Sequence, residues 1–181
     1  FHLKNFCPFF SGYISGFICR FIVNNNNFIG KGQRIQTLTD RCRFGYTDAV
    51  QAAAIVLLPL SFAVAAVAGR PVVDATWIDE QVETANRLFA PAGVRFERAA
   101  VRPLDERHAL LMTRADRNAL GPEVERGAIN VFLVGRLRDV DDPSLDRMGV
   151  HWRGGQGRRY VIVAQSAARS VLAHELGHFF G

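Results

Sequence analysis

The longest apolar stretch of the chain is Ala52 to Ala68, broken only by Pro59 and Ser61. It ends in Ala66-Val67-Ala68, the small-x-small pattern that a signal peptidase accepts, and Arg41 and Arg43 precede it as a positive flank. It is shorter than the roughly 20 residues a membrane helix needs, and it contains a proline. The leading reading is a signal peptide at 49–68; a membrane anchor and a buried core helix are the alternatives. After Gly69 the pattern changes period. Asp74 caps a predicted helix over 75–90, with Trp77, Ile78, Val82, Ala85 and Phe89 inward and Asp79, Glu80, Glu83 and Arg87 outward. Pro91 and Gly93 end it. Val94 to Glu97 alternates as a strand that extends toward Val101, and 104–112 fits no single period. Thr113 to Leu120 is a short helix or turn. Ala128 to Val134 is apolar nearly throughout and predicts a central strand. A polar loop covers 138–146, a short strand 149–152, a glycine-rich turn 153–157 and a last strand 159–164.

The final stretch has helical period again, with Ser166 as its expected cap. Ala168, Leu172, Leu176 and Phe179 form an apolar stripe. On another side stand His174 and His178, with Glu175 between them, in the pattern H-E-x-x-H. Residues four apart lie about 40° apart around a helix, so both imidazoles point one way and can share a metal ion. Glu175 flanks that face, within reach of a water at the metal without being a ligand. Two surface histidines on an ordinary helix are the plain alternative.

His174-Glu175-Leu176-Gly177-His178-Phe179-Phe180-Gly181 resembles the first eight positions of the metzincin signature, H-E-x-x-H-x-x-G-x-x-H. Within that clan, Ala128 to Gly135 and the ending His-Phe-Phe-Gly resemble pappalysin-like or matrixin-like bacterial proteases. The resemblance covers roughly residues 72–181 and implies an α+β fold. That fold is the zincin-like upper subdomain, a twisted mixed sheet with a backing helix and an active-site helix, truncated at its C-terminus. It implies zinc held by His174 and His178, Glu175 as general base, and a third ligand beyond Gly181. It also implies that the edge strand, Gly149, Val150, His151 and Trp152, pairs with the backbone of a protein or peptide substrate. The implied activity is that of a zinc metalloendopeptidase, incomplete and inactive in this chain. The rival is a non-catalytic, truncated, exported domain of the same fold. Peptide deformylases fit less well, because they need a cysteine that residues 69–181 lack; a thermolysin-like protease gives Gly181 no role.

Composition divides the chain. Residues 1–48 hold all three cysteines, both lysines and the run Asn24 to Asn27. The rest holds neither Lys nor Cys. The sequence starts at Phe1 and its first methionine is Met112, so it reads as a fragment open at both ends. Residues 1–48 read as a doubtful leader, either translation upstream of the true start or a disordered or membrane-proximal segment, and 69–181 as a partial catalytic domain. The net charge of +5 lies mostly in 1–68. Residues 69–181 carry sixteen Arg against fifteen Asp and Glu, which is no nucleic-acid footprint. The expected location is secreted, by bacterial export, or membrane-anchored if the apolar run stays uncleaved. Asp139, Asp141, Asp142 and Asp146 are oxygen ligands for a structural Ca2+ or, more plainly, a solvated loop. His108 and His151 read as surface or satisfied histidines, with a place at the cleft as the alternative for His151.

Overall fold

A computed structural model describes residues 55–181. The leader 1–48, its cysteines and the arginines before the apolar run lie outside the described residues. The architecture is α+β, with a twisted mixed sheet. In chain order the elements are β1 (Val56–Val67), β2 (Arg70–Pro71), α1 (Ala75–Phe89), β3 (Val94–Leu104), β4 (Leu110–Leu111), α2 (Arg114–Asn118), β5 (Ile129–Val134), β6 (Arg136–Leu137), β7 (Gly149–Arg153), β8 (Arg159–Ala164) and α3 (Val171–Phe180).

The apolar run, expected as a signal peptide, a membrane anchor or a buried core helix, is a strand of the sheet over Val56–Val67. β1 lies between β3 and β5, parallel to both, with Phe62 opposite Val101 on one side and Val131 on the other. The sheet continues β5, β8, β7; β8 is parallel to β5 and β7 antiparallel to β8. β2 returns antiparallel on the end of β1. A strand covered on both faces is apolar at every position, so its period does not separate it from a helix. Pro59 is tolerated because β5 pairing begins only at Leu60, so β1 has one neighbour there. The boundary drawn between Ala68 and Gly69 therefore cuts through the sheet. Among the described residues, no helix is long and apolar enough to cross a membrane.

The sheet separates two cores. On one face Leu60, Phe62, Val131 and Val163 meet α1 through Ile78, Val82 and Phe89, and α3 through Leu172, Leu176 and Phe179. On the other, Ala63, Phe132, Tyr160 and Ile162 are covered by Leu104, Leu111, Leu120 and Leu137. Both helices that the periodicity predicts thus lie on the same face. Tyr160 is fully buried and donates its hydroxyl to the Arg117 carbonyl at 2.7 Å, and burial pushes its pKa up to about 12.

α1 starts where its cap predicts: the Asp74 carboxylate accepts the Trp77 N–H at 2.8 Å. It ends through a turn in which Gly93 takes the left-handed conformation, φ 67°, that glycine adopts without strain. β3 runs to Leu104, beyond the expected Val101. The segment without a clear period supplies β4, which pairs with β6 rather than with the main sheet. α2 is closed by a capping box between Thr113 and Asp116.

Candidate metal centre

The cap of α3 lies four residues later than expected. Ser170, not Ser166, is the N-cap residue, and its side chain makes no capping bond. The cap comes from α1 instead. Gln81, only 1% exposed, accepts the Leu172 N–H at 3.2 Å and donates to the Ala168 carbonyl at 3.0 Å. Ala168, expected on the apolar stripe, is an exposed residue before the helix, and Ala167 is buried in its place. At the other end the Arg159 guanidinium donates to the Phe179 carbonyl and lies 4.8 Å over the Phe179 ring. A cation there suits the helix C-terminus.

Between these ends the histidines stand where the spacing predicts. His174 and His178 are exposed, their rings cross at 86°, and their Nε2 atoms are 3.1 Å apart. Two nitrogens on a tetrahedral zinc, each at about 2.0–2.1 Å, are separated by about 3.3 Å. The separation is close to that of two ligands of one zinc ion, and it is also that of a hydrogen bond between the two rings. Among the described residues, no cluster of three or more His, Cys, Asp or Glu side chains is placed to hold a metal. The pair supplies two of the three protein ligands usual in catalytic zinc sites.

Glu175 stands beside the pair, in the seam between α3 and β7, and is only 7% exposed. Its Oε2 accepts the main-chain N–H of His151 at 2.7 Å. Burial pushes its carboxyl above the usual carboxylate range, against the lowering pull of His174, the His151 N–H and His178. A carboxyl raised in this way holds a proton more readily than a solvated one.

The four residues expected along the substrate edge divide between two faces. β7 is an edge strand, with β8 as its single neighbour. Gly149 and His151 face α3. The His151 ring stands edge-on to Phe179 at 5.7 Å and accepts Nε–H of Arg159 at 3.2 Å. Burial lowers its pKa to about 4, helped by Arg159, Arg153 and His178. Val150 and Trp152 face the second core. Trp152 donates its indole N–H to Asn118 at 2.9 Å and lies under the Arg117 guanidinium at 4.8 Å. Their side chains therefore anchor the edge instead of facing α3, because successive residues of a strand point to opposite faces.

The aspartates of the 138–146 loop do not converge. Asp139 accepts the N–H groups of Asp141 and Asp142 and pairs with Arg147. Asp141 pairs with Arg114, Asp142 holds Ser144, and Asp146 pairs with Arg136. His108 is a buried histidine accepting from its neighbour Arg107 at 3.2 Å. An open hollow of about 520 Å³ at the start of α1 is lined by Pro71, Val72, Val73, Asp74, Trp77 and Gln165 and includes no residue of the histidine pair.

Two residues that shape the centre, Gln81 and Arg159, were not singled out from sequence. Gln81 had a signal: it is a polar residue among the inward positions Ile78, Val82 and Ala85, where a buried amide demands partners. Arg159 had none, since its position in a strand does not show which helix end it meets. No protein-family model matches the chain, and no curated protein matches it.

Proposed function

We propose that this chain is part of a zinc-dependent metalloendopeptidase of metzincin type. The observation that carries the reading is the histidine pair itself, with Nε2 atoms 3.1 Å apart on one helix face and the intervening glutamate buried beside them. The strand order supports it, since an antiparallel edge strand precedes the last parallel strand, which leads into the histidine helix. When bound, zinc supplies the Lewis acidity that polarises a scissile carbonyl and acidifies a water. His174 and His178 are the residues that would hold it, through Nε2. Glu175 takes a proton from the attacking water and gives it to the leaving amine, so the carboxylate is regenerated at the end of the cycle. The outward backbone groups of β7 supply an edge on which an extended peptide pairs without being read for sequence.

With two ligands, the 181-residue chain is expected to bind zinc weakly, at one ion per chain. Titration with Zn2+, or with Co2+ as a spectroscopic substitute, tests this. His174→Ala and His178→Ala should each abolish binding, and Glu175→Gln should keep it. In any form of the protein that supplies a third ligand, Glu175→Gln should keep the metal and lose peptide hydrolysis. Normal cleavage by that variant would overturn the mechanism. A second reading, a non-catalytic domain of the same fold, takes the 3.1 Å contact between the two rings as a hydrogen bond and not as a metal site. Undetectable zinc binding by the wild-type chain at millimolar metal would select it.

A further inference from the structure

The edge strand β7 has a task besides the pairing of substrate. An edge strand normally presents every second N–H and C=O to solvent. In β7 the Met148 carbonyl faces β8, where it accepts the Ala164 N–H at 2.8 Å, so the groups of residues 150 and 152 face β8 too. Those of 149, 151 and 153 face outward. The outward N–H of His151 is nevertheless taken, by Oε2 of Glu175 at 2.7 Å. Among the described residues, Oε1 accepts no hydrogen bond.

Gly149 makes this approach possible. A Cβ at that position would lie 2.5 Å from Cγ1 of Val171, 2.9 Å from Cγ of Glu175 and 3.1 Å from its Oε1. Contacts under 3.0 Å between such atoms are not sustained without displacement. The backbone of Gly149 is not in the left-handed region that explains other glycines of the chain. Space, not conformation, is what the position requires.

We propose that Gly149 and the main-chain N–H of His151 position the carboxylate of Glu175, fixing one oxygen so that the other is left to exchange the proton. Gly149 leaves the gap into which the glutamate side chain fits, and the N–H at 151 orients its head. This rests on the reading of Glu175 as the general base. It assigns the outward N–H of residue 151 to the enzyme's own carboxylate instead of to a bound peptide.

The test uses the 181-residue chain and amide hydrogen exchange followed by NMR, with zinc titration alongside. In the wild type the His151 amide should exchange slowly despite its outward place. Glu175→Ala should speed that exchange about tenfold or more, as expected for loss of one charge-assisted hydrogen bond. The Val150 and Trp152 amides should stay protected. Gly149→Ala should do the same while leaving zinc binding at His174 and His178 intact. Adding Val171→Ala removes the closest clash but leaves the one with Glu175, so the double variant should keep the fast His151 exchange. Wild-type exchange at His151 in Glu175→Ala would overturn the proposal. Full restoration by Val171→Ala would also overturn it, by showing that Gly149 serves only strand–helix packing. If Gly149→Ala does not fold, the Glu175→Ala comparison still decides. Expected exchange behaviour without any zinc binding would sink the metalloprotease reading and leave the clamp standing. Zinc binding with unchanged exchange would do the reverse.

Discussion

Gln81 and Leu172 lie 91 residues apart in sequence, and the side chain of the first caps the helix that begins beside the second, at 3.2 Å. The same amide donates to the Ala168 carbonyl at 3.0 Å, so one buried side chain satisfies two main-chain groups at the start of the histidine helix. Removing it leaves the buried Leu172 N–H without a partner, whereas water can reach the carbonyl of the exposed Ala168. Gln81→Ala should lower stability by about 1–3 kcal/mol, the range for an orphaned buried polar group. Urea unfolding checks the size. Loss of amide protection confined to the first turn of α3 would show the cause, and an unchanged midpoint would refute it.

β1 makes a second prediction. It pairs with β3 over ten residues and with β5 over five, and it supplies Leu60, Phe62 and Val64 to the core shared with both long helices. A chain beginning at Gly69 lacks the strand between β3 and β5. It should show no cooperative unfolding transition by circular dichroism, whereas a chain beginning at residue 55 should show one. Phe62→Ala in the longer chain should cost about 3–5 kcal/mol, as for other fully buried aromatics. A cooperative transition in the chain starting at Gly69 would mean that the sheet closes without β1.

The contrast between α1 and β1 shows what a sequence of this kind discloses. α1 was legible because its apolar and charged positions alternate at helical period, between an aspartate cap and a Pro/Gly stop, and all three signals are local. The histidine pair was legible for the same reason, since a four-residue spacing fixes its geometry within one helix. β1 was not, because a strand buried on both faces has no period, and its run of small and branched residues also fits an export segment. The edge strand was half legible. A short strand was expected between the polar loop and the glycine-rich turn, but which of its residues meet the helix depends on packing, and that set Trp152 against α2 and His151 against Phe179. The Gln81 cap joins residues too distant in sequence for any local signal.

The free edge at β3 is partly closed by a side chain of α1. Asn86 donates to the Phe96 carbonyl at 3.0 Å and accepts the Phe96 N–H at 2.6 Å, as a neighbouring strand would. Asn86→Ala should cost about 1–2 kcal/mol, because water reaches part of the exposed edge and replaces some of what is lost. Asn86→Asp keeps the acceptor and loses the donor, so it should fall between the two. Thermal melts of the three chains give the order, and equal melting temperatures would show that solvent replaces the amide fully.

His151 gives the chain a dependence on acid. Its ring is held neutral in the folded state, first by burial and then by Arg159, Arg153 and His178, and Nε2 is already the acceptor for Arg159. Its folded pKa of about 4 lies below the ordinary value of 6.5. Between those two values the unfolded chain binds a proton that the folded chain does not. Stability should therefore fall as pH drops from about 6.5 toward 4, and be unaffected by this group above that window. Glu175, held by the main chain of the same residue, has a raised pKa from burial, so its protonation on acidification favours the folded state and opposes the effect. The histidine's share is of the order of 1–2 kcal/mol once the solvated part of the ring is allowed for. Denaturant unfolding at pH 7 and pH 4.5, in the wild type and in His151→Gln, separates the two. The variant should lose less stability on acidification than the wild type, since glutamine has no proton to take up. An equal loss in both chains would show that His151 is not the group that titrates.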